Sequence, residues 1–354
     1  MSGEMSVKVA LDTMGGDLGP AATVEGAWRA LAAEPRLEIE LVGPTDILEE
    51  TLAAVVARPE VQALAEPRES IMARLSYVDA REVVDMGDHP VEVLRRKPRS
   101  TLMVAVERVA QGEAQAVVSP GNTGAVMAAA LFRLGRFPGI DRPALGITLP
   151  NRRRGHTLLV DVGANVDCRP VHLVQFAAMG YAYARGVLGI PEPRIGLLSV
   201  GSEAAKGNEA VRKANEMLSA SQLPFVGNVE GMDVWNGSTD VVVCDGFAGN
   251  ILIKSAEGLV ETLMALIGPV LGSAGNAHAH TGLREVLKPF DWTEHGAAPL
   301  LGLNGIGLVA HGRSNARAIE QAVRKAVLAV RGRVLEQLGR ALPDLQRESS
   351  HQPT

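Results

Sequence analysis

The sequence predicts an α/β fold built on a largely parallel sheet, and three observations support this prediction. Short runs rich in Val, Ile and Leu recur along most of the chain. Longer amphipathic stretches separate these runs, and such alternation is typical of strand–helix–strand units. Most runs are almost continuously apolar, as expected of parallel strands that are covered on both faces. We therefore expect a three-layer α/β/α arrangement with the sheet in the middle.

The first strand is predicted at residues 7–12, followed by a glycine-rich turn and an alanine-rich helix from about Ala21. Most of the later runs end in Gly, Ser, Asp or Asn, which are common turn residues. Their sequences are LEIELVG at 37–43, AQAVVS at 114–119, TLLVDVG at 157–163, RIGLLSV at 194–200, PFVGNV at 224–229 and DVVVCDG at 240–246. Because ligands of such sheets bind at the carboxyl ends of strands, the polar residues there are candidates for a site.

The chain of 354 residues fits one α/β/α domain over 1–340, with two lobes around a central cleft as the alternative arrangement. A helical segment near 253–290 is expected to protrude from it, and residues 341–354 are expected to form a polar tail. Hydrophobic residues make up 46% of the chain, which is enough for a sizeable core.

Composition excludes several classes of protein. The net charge of −5 argues against a general nucleic-acid binder, which needs a basic surface. The two cysteines, Cys168 and Cys244, form no disulfide framework and fit a reducing cytoplasm. No apolar run approaches the ~20 residues that span a bilayer. We expect a cytoplasmic protein that can reach a membrane only through surface contact.

Five predicted strand ends carry residues that suit a binding site. Taken singly, each loop indicates only a turn, but five of them on one sheet favour a shared cleft. The candidate substrate-binding residues are Asp12, Gly15, Gly16 and Asp17; Gly121, Asn122, Thr123 and Gly124; Asp161, Gly163 and Asn165; Ser202, Glu203 and Asn208; and Asp245, Gly246, Phe247 and Gly249.

Two segments, SPGNTGAVMAAALF and DGFAGNILIKSAEGL, have the pattern of a strand end that runs through a glycine-rich turn into a helix. A helix start presents free amides and favours negative charge. Neither segment matches a P-loop or the dinucleotide-binding fingerprint. One such segment is a weak signal, whereas two at one edge of a sheet indicate an anionic substrate.

Lysine, histidine and cysteine side chains offer further candidates. Lys206 lies in a polar, glycine-flanked loop, where it would neutralise a phosphate or an oxyanion, unless it is an ordinary solvated lysine. His172, at the start of an apolar helix, is either a site residue or a buried structural one. His278 and His280 suggest a metal pair, but no third ligand lies nearby and a flexible loop is favoured. Neither cysteine lies in a recognised Cys–His arrangement.

Two basic runs and one apolar stripe have no assigned role in this pattern. The basic runs contain Arg95, Arg96, Lys97 and Arg99, and Arg152, Arg153 and Arg154. Such runs are usually solvated faces, but on an acidic protein they can steer an acidic partner. The apolar stripe at 259–271 favours core packing or a dimer interface, with contact at a membrane surface as the alternative.

Several motifs follow one another in a specific order along the chain: ALDTMGGD, SPGNTGA, DVGAN, GSEAAKGNE and DGFAGN. In this order the sequence resembles the bacterial phosphate acyltransferase family of phospholipid synthesis, over residues 7 to about 319. The resemblance implies a homodimeric α/β/α enzyme, related in fold to phosphate acetyltransferases and to isocitrate and isopropylmalate dehydrogenases. It implies neither a cofactor nor a metal.

The same resemblance implies a reaction. Acyl-[acyl-carrier protein] (acyl-ACP) and inorganic phosphate would give acyl phosphate and free ACP, and a membrane glycerol-3-phosphate acyltransferase would consume the product on the route to phosphatidic acid. Lys206 and Asn250 match the family's catalytic positions. We expect the amides of 121–124 and of 249–250 to hold phosphate, and the acidic ACP to dock on one basic run of a peripherally membrane-associated enzyme.

Three other functions are alternatives to acyl transfer from acyl-ACP. A metal- and NAD-dependent decarboxylating dehydrogenase needs a carboxylate cluster and a nucleotide site, and the sequence assembles neither. A short-chain phosphate acyltransferase that uses coenzyme A is closer in chemistry. A non-catalytic scaffold that recruits ACP to a membrane would bind ACP without phosphate-dependent release of its thiol.

Overall fold

The computed structural model describes residues 5–64, 66–153, 155–273 and 296–349. They form one eleven-stranded sheet with helices on both faces. The strands are β1 (Val7–Asp12), β2 (Leu37–Gly43), β3 (Leu75–Asp79), β4 (Ala116–Ser119), β5 (Ala144–Pro150), β6 (His156–Val160), β7 (Ile195–Leu198), β8 (Phe225–Val229), β9 (Val241–Val243), β10 (Ala297–Leu301) and β11 (Ile306–Ala310). The helices are α1 (Gly19–Ala33), α2 (Thr45–Val56), α3 (Pro59–Gln62), α4 (Arg68–Met72), α5 (Pro90–Arg96), α6 (Thr101–Ala110), α7 (Thr123–Leu134), α8 (Pro170–Gly186), α9 (Glu209–Ala220), α10 (Asp233–Asn236), α11 (Gly246–Ser273), α12 (Ala316–Arg331) and α13 (Val334–Ser349).

The strand order is β3-β2-β1-β4-β11-β10-β5-β6-β9-β7-β8. The first group, β3 to β11, is parallel throughout, and so is the second group, β6 to β8. Between them, β10 is antiparallel to β11 and β5, and β5 is antiparallel to β6. The predicted, mostly parallel sheet is therefore confirmed, but its two parallel groups run in opposite directions.

Alternate strand residues face the two helical layers. On β1, Val9 and Leu11 pack with α1, α2 and α12, while Ala10 packs with α6 and α7 on the other face. On β6, Leu158 and Val160 pack with α8, α9 and α13. The expected three layers are confirmed, because both faces of the central strands are buried under helices.

Several helix starts follow local rules in the sequence. Asn122, Asn208 and Asn315 are N-caps whose side-chain oxygens accept hydrogen bonds from backbone amides in the first turn. Pro20 and Pro170 occupy the first turns of α1 and α8, where no intrahelical amide is required. These caps set the ends of the loops that carry the candidate site.

Four strands were not predicted: β3, β5, β10 and β11. Three of them contain residues that weaken a strand pattern. Pro299 lies within β10, β5 ends at Pro150, and Gly307 lies within β11. Proline and glycine are depleted in strands because one lacks an amide and the other lacks a side chain.

The predicted polar tail from residue 341 is wrong in its boundary. Helix α13 continues to Ser349, and Ala341 and Leu342 are buried against the second half of the molecule. Residues 350–354 lie outside the described residues. The segment near 253–290 is helical as far as Ser273, and 274–290, with His278 and His280, lies outside the description. No helix in the described ranges is long and apolar enough to cross a bilayer.

Candidate active site

Lys206 and Asn250 lie at the same edge of the sheet, one in a loop and the other in the first turn of a helix. Strands β7 and β9 are parallel neighbours, with Leu197 level with Val243. The loop with Lys206 follows β7, and α11, which carries Asn250, follows β9. Both residues are exposed. The sheet therefore brings the two predicted catalytic side chains to one solvent-accessible edge.

Asp161, directly after β6, organises the backbone beside Asn250. Its buried carboxylate accepts hydrogen bonds from the amides of Leu145 (2.9 Å), Ala164 (3.1 Å) and Asn165 (2.7 Å). The Asn165 side chain donates another at 3.0 Å. Burial raises the pKa of Asp161, and these hydrogen bonds act in the opposite direction. Asp161, predicted as a substrate ligand, is thus occupied in holding the loop.

Two glycines allow this loop to approach Asn250. A Cβ on Gly249 would fall well inside van der Waals contact with the carbonyl oxygen of Asp161. Gly163 has φ of +140°, and a Cβ there would lie 3.8 Å from Asn250 Oδ1. Glycine is needed at 249 because of the close approach and at 163 because of the positive φ, and both positions lie where the 161–163 backbone meets the first turn of α11.

The start of α11 leaves little room for phosphate. Gly246 donates its amide to the Asn165 carbonyl at 2.7 Å, and Ala248 donates to Asp245 Oδ1 at 2.7 Å. The Gly249 amide donates to the Asp245 carbonyl at 3.0 Å. The prediction that the amides of 249–250 hold phosphate is wrong, because both lie inside the helical ladder. In this first turn, the Phe247 amide is the one without a hydrogen bond among those described.

The start of α7 is a better cradle for an anion. Asn122 Oδ1 accepts from the Ala125 amide at 3.0 Å, and Gly121 donates to Ser119 Oγ at 3.1 Å. Thr123 and Gly124 are exposed in the first turn, where amides have no partner within the helix. These two amides are placed to receive an anion from solvent.

Asp12 fixes the loop that precedes α7 by a buried hydrogen bond. Its buried carboxylate accepts from Ser119 Oγ at 2.6 Å, and burial raises its pKa. A Cβ on Gly15 would lie 2.7 Å from Asp12 Oδ2 and 3.0 Å from Gly121, so the two loops pack without side chains between them. Gly16 packs against Pro120, and the exposed Asp17 donates its amide to the Gly312 carbonyl at 2.7 Å.

Two buried asparagines that the sequence analysis did not predict as functional fix the Lys206 loop by hydrogen bonds. Asn228 Nδ2 donates to the Glu203 carbonyl at 2.9 Å, and Asn215 Nδ2 donates to Asn228 Oδ1 at 2.9 Å. Both asparagines are buried. A Cβ on Gly201 would lie 3.2 Å from Lys206 Cγ, so the lysine stem crosses this glycine. Ser202 and Glu203 are exposed beside it, and Asn208 caps α9.

Because the two parallel groups run in opposite directions, the carboxyl ends of their strands lie at opposite edges of the sheet. The expectation that the starts of α7 and α11 share one edge is therefore wrong. Helix α11 joins the two groups, because Lys254 and Glu257 act electrostatically on His311, directly after β11.

His311 is a candidate that sequence reasoning missed. Burial lowers its pKa, and Arg313 and Lys254 lower it further, while Asp17 has the opposite effect. The Arg313 amide donates to His311 Nδ1 at 3.1 Å. The available signal was the segment HGRSN directly after an apolar run, but that run was not predicted as a strand.

His172 has a structural environment. Its side chain is 1% exposed, and Nδ1 accepts from the Arg169 amide at 3.1 Å in a capping box at the start of α8. Burial lowers its pKa, and so does Arg169. The ring therefore caps a helix and does not reach a substrate surface. Burial raises the pKa of Cys168 to about 12, which agrees with the expectation that the cysteines are poor nucleophiles.

The two basic runs differ in their pairing. Arg96 pairs with Glu92 at 3.2 Å, and Lys97 pairs with Asp85 at 3.0 Å and with Asp88 at 2.5 Å. In the second run, Arg152 and Arg153 are exposed, and the Arg152 amide donates to the Trp235 carbonyl at 2.8 Å. Arg154 lies outside the described residues.

Apolar side chains are exposed around the Lys206 and Asn250 loops. Val200 is 83% exposed and Phe247 59%, and Val166, Met232 and Ile251 are exposed as well. Val166, Val200 and Phe247 follow β6, β7 and β9 closely. Since monomeric proteins seldom expose clustered apolar groups without a use, these side chains indicate an apolar ligand or partner at this edge.

The arrangement suits acyl transfer to an anion. Two open amides of α7 can hold an anionic acceptor, and a lysine and a side-chain amide can stabilise a developing oxyanion. Within the ranges that the structure describes, no group of three or more His, Cys, Asp or Glu side chains is placed to hold a metal ion.

Comparison with known proteins identifies close relatives. A family described as "Fatty acid synthesis protein" matches residues 7–337. A phosphate acyltransferase from Pelotomaculum thermopropionicum is 44% identical over 345 residues, covering 96% of each chain. Another from Gloeobacter violaceus is 45% identical over 346 residues, covering 96% of this chain and 98% of the relative.

Two solved structures share the fold. A phosphotransacetylase from Streptococcus pyogenes has a TM-score of 0.60 at 18% identity, over 92% of this chain and 94% of the other. A 4-hydroxythreonine-4-phosphate dehydrogenase from Klebsiella pneumoniae has a TM-score of 0.52 at 15% identity, over 91% of this chain and 98% of the other. The expected likeness to phosphate acetyltransferases and to dehydrogenases of this fold is confirmed.

Proposed function

The chain belongs to the phosphate acyltransferase family, and on that premise we propose that it moves an acyl group from acyl-ACP to inorganic phosphate. Acyl phosphate and free ACP are the products. The observation that carries this proposal is the placement of exposed Lys206 and Asn250 after neighbouring parallel strands, amid exposed apolar side chains.

A phosphate oxygen attacks the thioester carbonyl carbon. The new carbon–oxygen bond forms first, and the carbonyl π electrons move onto the oxygen to give a tetrahedral oxyanion. The carbonyl then re-forms as the carbon–sulfur bond breaks, and the thiolate of ACP leaves and takes a proton from solvent. The amides of Thr123 and Gly124 hold phosphate, Asn250 Nδ2 donates to the tetrahedral oxyanion, and the Lys206 ammonium offsets its charge. Removing one such donor typically lowers turnover ~10²–10³-fold. Holding both reactants in one cleft supplies much of the remaining acceleration.

The exposed apolar residues favour a long-chain donor over an acetyl donor. Val200 and Phe247 lie beside the reacting groups and would contact a hydrocarbon chain better than a methyl group. Arg152 and Arg153 offer an acidic carrier protein a basic surface near the same helix. A short-chain enzyme would need no such apolar surface, whereas the arginines would suit the phosphates of coenzyme A as well as an acidic carrier protein.

The proposal extends to the setting of the enzyme. Leu259, Leu263 and Leu266 are exposed along α11 and provide an apolar surface for a homodimer, with peripheral contact at the cytoplasmic face of a membrane as the alternative use of the same side chains. A membrane glycerol-3-phosphate acyltransferase would then receive the acyl phosphate for phosphatidic acid synthesis. Leu263→Glu is expected to weaken self-association in sedimentation and recovery with floated liposomes. Wild-type behaviour in both assays would contradict this role.

One assay tests the reaction itself. Purified protein is incubated with palmitoyl-ACP, and free ACP thiol is measured with and without phosphate. We expect release that depends on phosphate and a matching amount of acyl phosphate trapped with hydroxylamine. Binding of ACP without phosphate-dependent release would support the scaffold instead, and release from acetyl-coenzyme A alone would support the short-chain enzyme.

A further inference from the structure

A groove with a volume of about 680 Å³ runs beside α11, between this helix and the ends of β5 and β11. Its size is that of sites for small organic ligands, which are about 300–1,000 Å³. Its lining includes Leu149, Pro150, Trp235, Leu252, Ala256 and Val260.

The lining of the groove is mainly apolar on both sides. Leu252, Ala256 and Val260 recur at intervals of four residues, so they share one face of α11. All three are half-buried. Leu149 and Trp235 lie opposite, on β5 and α10. An aliphatic chain in this groove would bury its methylene groups against these side chains.

One end of the groove lies toward the proposed reaction centre. Lys254 lines this end and follows Asn250 by four residues on α11, about 6 Å along the helix axis. His311 and Arg313 line the same end. The acidic lining residues are Glu257, which pairs with Lys254 at 2.7 Å, and Glu261 farther along α11. A chain attached to a carbonyl beside Asn250 therefore has an adjacent apolar path that runs about 12 Å from Leu252 to Val260.

We propose that this acyl groove receives the hydrocarbon chain of the transferred acyl group and that Ala256 sets the chain length it accepts. This inference rests on the proposed function and specifies the donor at the same site. Each buried methylene is worth about a fourfold gain in affinity, so a few lost contacts are measurable. The small side chain of Ala256 leaves the middle of the groove open between Leu252 and Val260.

A matched pair of substitutions on one helix tests the proposal. Ala256→Trp fills the groove, whereas Ala265→Trp adds the same side chain at an exposed position of α11 that does not line it. The measurement is kcat/KM for palmitoyl-ACP and for butyryl-ACP at saturating phosphate. We expect the palmitoyl-to-butyryl ratio to fall at least about tenfold in Ala256→Trp, as loss of two or more buried methylenes predicts. Ala265→Trp should keep the wild-type ratio.

The possible results separate the two proposals. A wild-type protein without phosphate-dependent thiol release overturns the proposed function. A wild-type protein with that activity, together with an unchanged ratio in Ala256→Trp, overturns the acyl groove. Loss of self-association in Ala256→Trp at an unchanged ratio would show that a second copy of the chain covers the groove, and it overturns the proposal as well.

A second variant keeps the test decisive if Ala256→Trp does not fold. Trp235→Leu widens the opposite wall and is expected to raise the relative kcat/KM of chains longer than palmitoyl. A chain-length profile identical to that of the wild type would contradict the proposal. Circular dichroism and thermal unfolding establish which variants are folded before rates are compared.

Discussion

The side-chain amide of Asn228 donates a hydrogen bond to the carbonyl oxygen of Glu203 at 2.9 Å. The donor lies at β8, in a buried position, and the acceptor lies in the loop that presents Lys206 to solvent. Because Asn215 in turn fixes Asn228, the position of the exposed lysine depends on two side chains that no substrate contacts.

Asn228→Leu should therefore lower turnover without touching the reactants. The Glu203 carbonyl keeps only the Lys206 amide as a donor, and the buried Asn215 side-chain amide loses its acceptor on Asn228. A buried polar group without a partner costs about 1–3 kcal/mol of unfolding free energy. We expect kcat for acyl transfer to fall on the order of tenfold, because a misplaced catalytic group is costly. Urea unfolding and initial rates measure the two effects. A destabilised variant with wild-type kcat would show that the Lys206 loop needs no such support.

Lys206→Ala tests the proposed electrostatic role directly. We expect phosphate-dependent thiol release to fall ~10²–10³-fold, the usual cost of losing an oxyanion donor. The melting temperature should change little, because the side chain is exposed. Lys213→Ala is the matched control, since Lys213 is an exposed lysine of the next helix that pairs with Glu209 at 2.6 Å. Equal rates in the two variants would remove Lys206 from the mechanism.

Gly249→Ala and Gly258→Ala place the same methyl group at two positions of α11. At Gly249 the methyl would collide with the Asp161 carbonyl, so the start of α11 must move away from the 161–163 loop. We expect lower stability and loss of most activity. At Gly258 the space is open, and alanine should stabilise the helix by about 0.5–1 kcal/mol. Thermal unfolding and activity assays of both variants test this contrast; similar stabilities would contradict the packing described.

His172 should make stability depend on pH. Burial holds the pKa of this ring below its ordinary value of 6.5, so the folded state binds the proton less readily than the unfolded state. The contribution of neutral His172 is fully present above pH 6.5 and is lost as pH falls through the folded pKa. We expect the stability difference between wild type and His172→Gln to shrink between pH 7 and pH 5. A constant difference across this range would show that His172 does not titrate differently on folding.

Charge reversal distinguishes the two possible docks for ACP. Arg152→Glu with Arg153→Glu is expected to raise KM for acyl-ACP on the order of tenfold, and added salt should reduce the difference. Arg95→Glu with Arg99→Glu should have a smaller effect, because Glu92, Asp85 and Asp88, which pair with Arg96 and Lys97, already offset the positive charge of that run. The opposite ranking would place the dock beside α5 and α7.

The sequence predicts those parts of the fold that local pattern determines. The strand Val7–Asp12 was predicted with the observed bounds, because its apolar run and its terminal aspartate are both local signals. The strand with Pro299 was missed, since a proline breaks the pattern even where the ladder tolerates it. Without that strand and β5, the reversal of direction between the two parallel groups could not be predicted.

For the candidate site, too, local motifs predict some features and tertiary contacts determine the others. The motifs predict where Lys206 and Asn250 lie in the chain, and the sheet places them at one edge. They do not predict that Asp161 is occupied by the Leu145 amide, because that contact joins separate strands across the sheet. Nor do they predict the role of Asn228, which depends on tertiary packing and has no local signature.

The strand order has a consequence for synthesis on the ribosome. Strand β11 lies beside β4, and α12 packs on α1, so the first half of the sheet is completed by residues that are made long after β4. The ion pair between Arg331 and Glu34 at 3.0 Å closes the same long interval. A nascent chain must therefore keep the edge of β4 unpaired until Ile306–Ala310 has emerged, and during that time the edge is open to association with other chains.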